Sequence, residues 1–297
     1  MDFNNSMLRM LTLLLTCCVA TAIDAKNAQP MDVHWSLYNF PPYLLVSKKL
    51  PGEGAAVEFI KKFVAETPEI NHTFEETSFT RVIGLMRDGV FTCNPLLLRV
   101  PEREAFVEFS KPIIMALPHH IVIRKKDLER YSPHLTPEGK VNLDSLLSDD
   151  SFTTTIPRDR AYPSLVSDLL KENEGVKHIN RRATDFRTPV SQLRAGWIDY
   201  VIAYPFEIQW YSVYTETFKG VELEYLSMQG MPEYALGHVG CTKGIKGQQV
   251  IERINEVIEQ EGADPSWNRH QFYELDSQAR EKHEALLMQY QPFGQLK

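Results

Sequence analysis

Residues 94–112 read NPLLLRVPEREAFVEFSKP, an apolar run that leads into a proline-bounded turn carrying two arginines. Arg99 and Arg103 follow the strand-like part of the run, and a Ser-Lys-Pro break at 110–112 ends the stretch. An arginine on a loop after a buried strand can present a planar fork of N–H donors to an anion. Ligands of open α/β sheets bind outside the carboxyl ends of the strands. The stretch therefore predicts a sheet with an anion site at its edge.

Strand-like and helix-like segments alternate on both sides of this stretch. Apolar residues recur at helical spacing over 54–66, and either Ser78 or Thr80 is placed to cap a second helix over 78–87. A later unit repeats the pattern, with helices expected over 143–147 and over 188–195, the latter with Thr188 as its cap. Such alternation predicts βαβ units and a mostly parallel sheet in each of two lobes, with a ligand cleft between the lobes.

The N-terminus has the composition of a cleaved export signal. Arg9 precedes a short apolar run at 10–22 that ends in small residues. This run is shorter than the roughly 20 residues that a membrane-spanning helix needs. We therefore expect a signal peptide over residues 1–25 and export to the periplasm. The formal net charge of −7 argues against nucleic acid and against anionic membrane surfaces as partners.

Cys93 and Cys241 are the cysteines beyond residue 25. Both lie in apolar strand-like runs, which favours buried free thiols, with a single disulfide as the alternative in an oxidising compartment. The sequence contains no CxxC motif, no HExxH motif and no compact His/Cys/Asp cluster. We therefore expect neither a metal nor another cofactor.

Four segments, taken in chain order, resemble family 3 of the bacterial extracellular solute-binding proteins, the amino-acid-type receptors of ABC importers. The segments are FPPY at 40–43, RVPER at 99–103 with FSKP at 109–112, QLRAGWID at 192–199, and the strand-like run at 235–243 followed by Ile254 and Asn255. The resemblance covers about 32–274 and is that of a divergent member.

The resemblance implies the two-lobed, type II fold of periplasmic binding proteins, an α/β fold in which each lobe is a mostly parallel sheet flanked by helices. It places the first lobe at 26–117 plus 236–275 and the second lobe at 118–235. A C-terminal helical tail would then occupy 276–297. The ligand cleft lies between the lobes.

The same resemblance suggests site residues by position. Arg103, six residues before Phe109, matches the arginine that binds a ligand carboxylate in the family. Phe40 matches the aromatic residue that stacks on the body of the ligand. Arg99 is a further ligand-binding candidate on the same turn. Each has a structural alternative, because the arginines could pair with Glu104 or its neighbours and Phe40 could belong to the core.

The departures from the family pattern concern the ligand. Leucines at 96–98 replace a small hydroxyl residue, and Tyr204 stands where the family carries an acid for the ligand's ammonium, with Glu207 the nearest acid. Arg160, in PRDRAY at 157–162, precedes a predicted helix N-terminus, where backbone N–H groups already favour anions. We therefore expect Tyr204 and Arg160 to contact a small polar solute that is anionic or bears a carboxylate.

The resemblance implies a non-catalytic, monomeric binding protein that closes around a small-molecule solute. An inner-membrane ABC permease or a sensor protein would recognise the closed form. One alternative is a dehydratase-like periplasmic enzyme on the same fold, for which Glu207, His119 and His178 are the acid–base candidates. The other alternative is a sensory binding module without transport.

Overall fold

The computed structural model describes residues 31–47, 51–182, 184–215, 217–262, 266–267 and 277–290. The predicted signal peptide at 1–25 lies outside these ranges. Within them, no helix combines the length and the apolar composition that crossing a membrane requires.

Strands and helices alternate along most of the described chain. The strands are β1 (Met31–Leu37), β2 (Ile70–Glu76), β3 (Cys93–Leu98), β4 (Val107–Ala116), β5 (His120–Arg124), β6 (Thr154–Pro157), β7 (Ile179–Arg182), β8 (Tyr200–Ala203), β9 (Leu223–Leu226) and β10 (Ala235–Thr242). The helices are α1 (Ala55–Glu66), α2 (Phe79–Arg87), α3 (Pro101–Glu104), α4 (Leu143–Leu147), α5 (Ser164–Glu172), α6 (Arg187–Ala195), α7 (Pro205–Tyr214), α8 (Ile245–Glu261) and α9 (Ser277–Tyr290), with a 3₁₀ helix at Lys125–His134.

The strands form two five-stranded sheets, and each sheet is the centre of one lobe. The order is β2-β1-β3-β10-β4 in the first sheet and β7-β6-β8-β5-β9 in the second. The parallel pairs are those of β1 with β2 and β3 in the first sheet and of β6 with β7 and β8 in the second, while β10 and β5 run antiparallel to both of their neighbours. The expected two-lobed α/β architecture is confirmed.

Helices cover the sheets with the spacing that the sequence predicts. α1 buries Phe59, Ile60 and Phe63, and α8 buries Val250 and Ile254, in the core of the first lobe. The Oγ of Ser78 accepts the backbone N–H of Arg81 at 3.2 Å, so the predicted cap of α2 is confirmed. α9 lies within the predicted tail, and its Leu286 is buried beside Met115 and Leu117 of the first lobe.

Two local predictions are wrong. The chain does not break at 110–112, because β4 continues through Pro112, which pairs with His238 at an irregular point of the ladder. β4 is an edge strand, where a residue without an N–H group is tolerated. Thr188 does not cap α6, which begins one residue earlier, at Arg187. The carboxylate of Asp185 accepts the Arg187 N–H at 3.1 Å and starts the turn instead.

The prediction of free thiols is also wrong, since Cys93 and Cys241 form a disulfide. β3 and β10 are antiparallel neighbours, and their register places the two cysteines directly opposite each other, with Cα atoms 4.0 Å apart. Both residues are fully buried in the first lobe. The pairing depends on this register, which neither apolar run specifies alone.

Candidate ligand-binding site

A cavity of about 940 Å³ lies between the two lobes. The first lobe contributes the segments that follow β1 and β2, the end of β3, and Arg103 on α3. The second lobe contributes the segments that follow β6, β7 and β8. These are the carboxyl ends of the parallel strands, where open α/β sheets bind their ligands.

Arg103 is a buried cation at the cavity, with 5% of its surface exposed. Its Nη1 donates to the carbonyl of Leu98 at 3.2 Å, and its Nη2 donates to the carbonyl of Asp159, in the other lobe, at 3.3 Å. Its guanidinium lies 5.1 Å from the ring centre of Phe79. Burial lowers the pKa of Arg103 to about 10, against the opposing effect of Tyr38, Tyr204 and Asp159. In the described part of the chain, no carboxylate forms an ion pair with this guanidinium.

Arg160 also lines the cavity, but its charge is matched within its own lobe. Nη1 donates to Oε1 of Glu207 at 2.9 Å, and Nη2 donates to Oε2 of the same carboxylate. The Glu207 side chain is 2% exposed and that of Arg160 is 11% exposed, so the pair is shielded from solvent. Burial lowers the pKa of Arg160, yet the ion pair with Glu207 outweighs burial and raises that pKa above its ordinary value.

Aromatic rings from both lobes meet at one end of the cavity. Phe40 contacts the ring of Phe206 at 5.7 Å and the ring of Tyr204 at 6.2 Å, both edge-on. Tyr204 and Phe206 stack on each other at 5.0 Å. Arg160 lies over the rings of Phe186 at 4.2 Å and of Phe40 at 5.9 Å. The predicted site residues Phe40, Tyr204 and Arg160 are thus brought together, with Arg103 on the same cavity.

Arg99 is not brought to this cavity. Its side chain is 53% exposed, and its Nε donates to a carboxylate oxygen of Glu104 at 2.6 Å. The guanidinium lies 5.9 Å from the ring centre of Phe109. Arg99 therefore occupies the surface of the turn on which Arg103 points inward.

The three acid–base candidates have separate surroundings. Glu207 is held by Arg160. His119 is completely buried, its ring centre lies 3.7 Å from that of Tyr204 in a tilted contact, and neither ring nitrogen has a hydrogen-bond partner among the described residues. Burial holds the pKa of His119 well below its usual range. His178 lies within hydrogen-bond distance of the Leu147 carbonyl, 2.9 Å away, and does not line the cavity.

Sequence reasoning missed the Arg160–Glu207 pair. It also missed the contacts of Arg103 with the ring of Phe79 and with the carbonyl of Asp159. One signal for Glu207 is present in the sequence, since Tyr204-Pro205-Phe206-Glu207 has proline at the first helical position and glutamate at the third. The backbone N–H of Tyr204 indeed donates to Oε2 of Glu207 at 3.3 Å. This contact points the carboxylate back towards the start of α7 and the cavity.

No protein-family model matches the sequence, and no curated protein matches it. The solved structures provide matches at low identity. The periplasmic domain of BvgS from B. pertussis is 18% identical, with a TM-score of 0.60 over 87% of this chain, which spans 46% of that longer chain. A putative L-cystine ABC transporter protein from Listeria monocytogenes is 14% identical, with a TM-score of 0.62 over 85% of this chain and 99% of its own.

A histidine kinase sensor domain with similarity to periplasmic binding proteins is also 14% identical, with a TM-score of 0.60 over 78% of this chain and 90% of its own. Identities this low show a shared fold and nothing finer. The chain therefore has the two-lobed fold of periplasmic solute-binding proteins and of the sensor domains that are built like them.

Proposed function

We propose that this protein is an exported, non-catalytic solute-binding protein that captures a carboxylate-bearing solute between its lobes. The observation that carries the proposal is the state of Arg103, a buried guanidinium at the cavity whose partners are two backbone carbonyls. A guanidinium forms short, charge-assisted and often bidentate hydrogen bonds with a carboxylate. A solute carboxylate would supply the ion-pair partner that the described residues around Arg103 do not.

Closure around the solute is part of the proposal. Nη2 of Arg103 reaches across the cleft to the Asp159 carbonyl, and the Thr80 hydroxyl donates to the Asp159 carboxylate at 2.7 Å. A carboxylate held by Arg103 would lie beside these interlobe contacts and favour the closed arrangement. The lobes would be 26–117 plus 236–275 and 118–235, a division supported by the two passages between the sheets, from β4 to β5 and from β9 to β10, the second of which ends one residue earlier, before Ala235. A tail at 276–297 completes this division.

We propose that the protein is a monomer in the periplasm and that a separate membrane protein recognises its closed form. Two partners fit this role, an ABC permease or a sensor protein, because a transporter-associated protein and a kinase sensor domain both share the fold. The likeness to a histidine kinase sensor domain keeps the sensory alternative beside the transport one. Comparing transport of a bound solute with a change in gene expression would separate the two.

The test is a thermal-shift screen of the chain from residue 26 over carboxylates and amino acids, followed by calorimetry. A ligand at about a hundred times its dissociation constant should stabilise the protein by roughly 2.7 kcal/mol. Arg103→Gln should then weaken binding on the order of 10- to 100-fold, because hydrogen bonds to charged groups contribute about 1.5–3 kcal/mol.

Arg99→Gln is the matched control, since it removes the same charge from the exposed side of the same turn. It should leave affinity within about twofold, as expected for an exposed ion pair. Equal losses in both variants, or an unchanged affinity in Arg103→Gln, would contradict the assignment of Arg103. Conversion of the ligand to a product would contradict the non-catalytic role.

A further inference from the structure

Glu207 is the acid nearest in the sequence to Tyr204, the position at which the family binds a ligand ammonium. Its carboxylate is already occupied. Glu207 receives Nη1 and Nη2 of Arg160 and the backbone N–H of Tyr204. Three donors on one buried carboxylate leave it little capacity for a solute ammonium. Removing Arg160 from Glu207 to admit such an ammonium would leave a guanidinium unpaired in a shielded site, which is strongly unfavourable.

The other acids at the cavity are also engaged, and they lie nearer to solvent. Asp185 is paired with Arg187 at 2.8 Å. The Asp159 carboxylate accepts the Thr80 hydroxyl at 2.7 Å, and Glu76 accepts a hydrogen bond from Asn39 at 3.3 Å. In the interior, therefore, the Arg160–Glu207 pair is neutral, and Arg103 has no ion-pair partner among the described residues, with the half-buried carboxylate of Asp159 as the acid that acts on it from nearby. The charge of Arg103 suits a monocarboxylate better than a zwitterion.

The rest of the interior wall is aromatic and aliphatic. Phe40, Tyr204 and Phe206 form a packed group of rings drawn from both lobes, and Phe79 lies under the guanidinium of Arg103. Trp210 and Phe186 line the cavity from the second lobe. Aromatic rings in edge-on or offset contact contribute about 0.5–1.5 kcal/mol beyond the area that they bury, a contribution that an aliphatic chain does not make. A cavity of about 940 Å³ has room for a ring and a short acidic chain.

We propose that the solute is an aryl carboxylate without an α-ammonium group, held by Arg103 at its carboxylate and by the interlobe rings at its apolar body. This inference rests on the proposed function. It names the substrate class of the same site and replaces the expected polar body with an aromatic one.

The experiment compares acids that differ in one group. Calorimetry with the chain from residue 26 would measure 3-phenylpropanoate against L-phenylalanine, and indole-3-propanoate against L-tryptophan. We expect each des-amino acid to bind at least tenfold more tightly than its amino acid. A third comparison, 3-phenylpropanoate against hexanoate, isolates the ring, and we expect the aryl acid to bind several-fold more tightly.

Variants locate the two recognition elements. Arg103→Gln should weaken 3-phenylpropanoate at least tenfold, while the matched surface change Arg99→Gln should leave its affinity within twofold. Phe40→Leu should narrow the preference for 3-phenylpropanoate over hexanoate. Asp159→Asn keeps an oxygen that can accept the Thr80 hydroxyl, and it should change the affinities for 3-phenylpropanoate and for L-phenylalanine by the same factor, because neither solute uses this carboxylate for an ammonium group.

The outcomes separate this inference from the proposed function. If amino acids bind as tightly as their des-amino partners and still require Arg103, the function stands and the inference is wrong. The inference is equally wrong if hexanoate binds as tightly as the aryl acid, or if Asp159→Asn weakens binding of L-phenylalanine more than that of 3-phenylpropanoate. If no carboxylate binds in an Arg103-dependent manner, both proposals are wrong.

Discussion

Thr80 and Asp159 join the two lobes across the cleft, with the Thr80 hydroxyl donating to the Asp159 carboxylate at 2.7 Å. Thr80 lies in the first turn of α2, and Asp159 lies on the segment that follows β6. The same Asp159 also offers its backbone carbonyl to Arg103. One residue of the second lobe therefore receives two contacts from the first lobe, beside the cavity.

Thr80→Val should shift the protein towards an open arrangement. Valine keeps the shape of threonine but cannot donate, so an interlobe hydrogen bond worth about 0.5–1.5 kcal/mol is lost. Small-angle X-ray scattering on the ligand-free protein should give a larger radius of gyration. Thr73→Val, on an exposed strand position within the first lobe, is the control. An unchanged radius in Thr80→Val would mean that this contact does not hold the lobes together.

Glu207→Gln should destabilise the fold by about 3–5 kcal/mol, because it leaves the charge of Arg160 without its partner in a shielded site. The double change Arg160→Met with Glu207→Leu removes both charges and should recover most of that loss. Urea unfolding monitored by circular dichroism measures both effects. A double variant as unstable as the single one would show that the pair contributes through shape rather than charge.

The chain from residue 26, which lacks Cys17 and Cys18, should contain no free thiol under non-reducing conditions, since Cys93 and Cys241 are bonded to each other. Thiol titration in denaturant checks this directly. Changing both cysteines to serine should lower the free energy of unfolding by about 2–4 kcal/mol, the usual range for a native disulfide. Two titratable thiols per chain would contradict the pairing.

The free energy of unfolding should decrease as the pH falls below about 6.5, the ordinary pKa of histidine. Burial depresses the pKa of His119, so the unfolded chain binds a proton there that the folded chain does not, and stability is lost as pH decreases. This histidine alone contributes a slope of up to about 1.4 kcal/mol per pH unit. Burial also lowers the pKa values of His72 and His238, which add to the slope in the same direction.

His119→Phe should reduce the slope of the free energy of unfolding against pH between pH 7 and pH 5. It should not lower that free energy at neutral pH. Neither ring nitrogen of His119 has a hydrogen-bond partner among the described residues, so phenylalanine loses no such bond there. Urea unfolding at a series of pH values measures the difference, with His34→Gln as control at a more exposed histidine. Parallel slopes for His119→Phe and the unchanged protein would contradict this account.

Local patterns in the sequence are sufficient for much of the fold. α4 begins and ends at the predicted residues, and the apolar spacing of α1 and the Ser78 cap are both confirmed. These features depend on residues within a few positions of one another. The prediction of Thr188 as a cap fails because Asp185, three residues earlier, offers a competing start to the same helix.

The site is predictable only in outline. Arg103 and Phe40, chosen by the resemblance, and Tyr204 and Arg160, chosen from its departures, line one cavity. Their partners are not predictable, because Glu207 lies 47 positions from Arg160 and Asp159 lies 56 positions from Arg103. Such contacts are fixed by packing within and between the lobes. The placement of Cys93 opposite Cys241 likewise depends on the register of two distant strands.

The bond between Cys93 and Cys241 spans 148 positions, and the whole second sheet lies between its ends. A protease cut in any loop of the second lobe therefore leaves the two chain fragments covalently attached. Each fragment also keeps its strands in the first sheet. Limited proteolysis would show this as a chain that separates on an electrophoresis gel only after reduction. A chain nicked in this way stays one molecule.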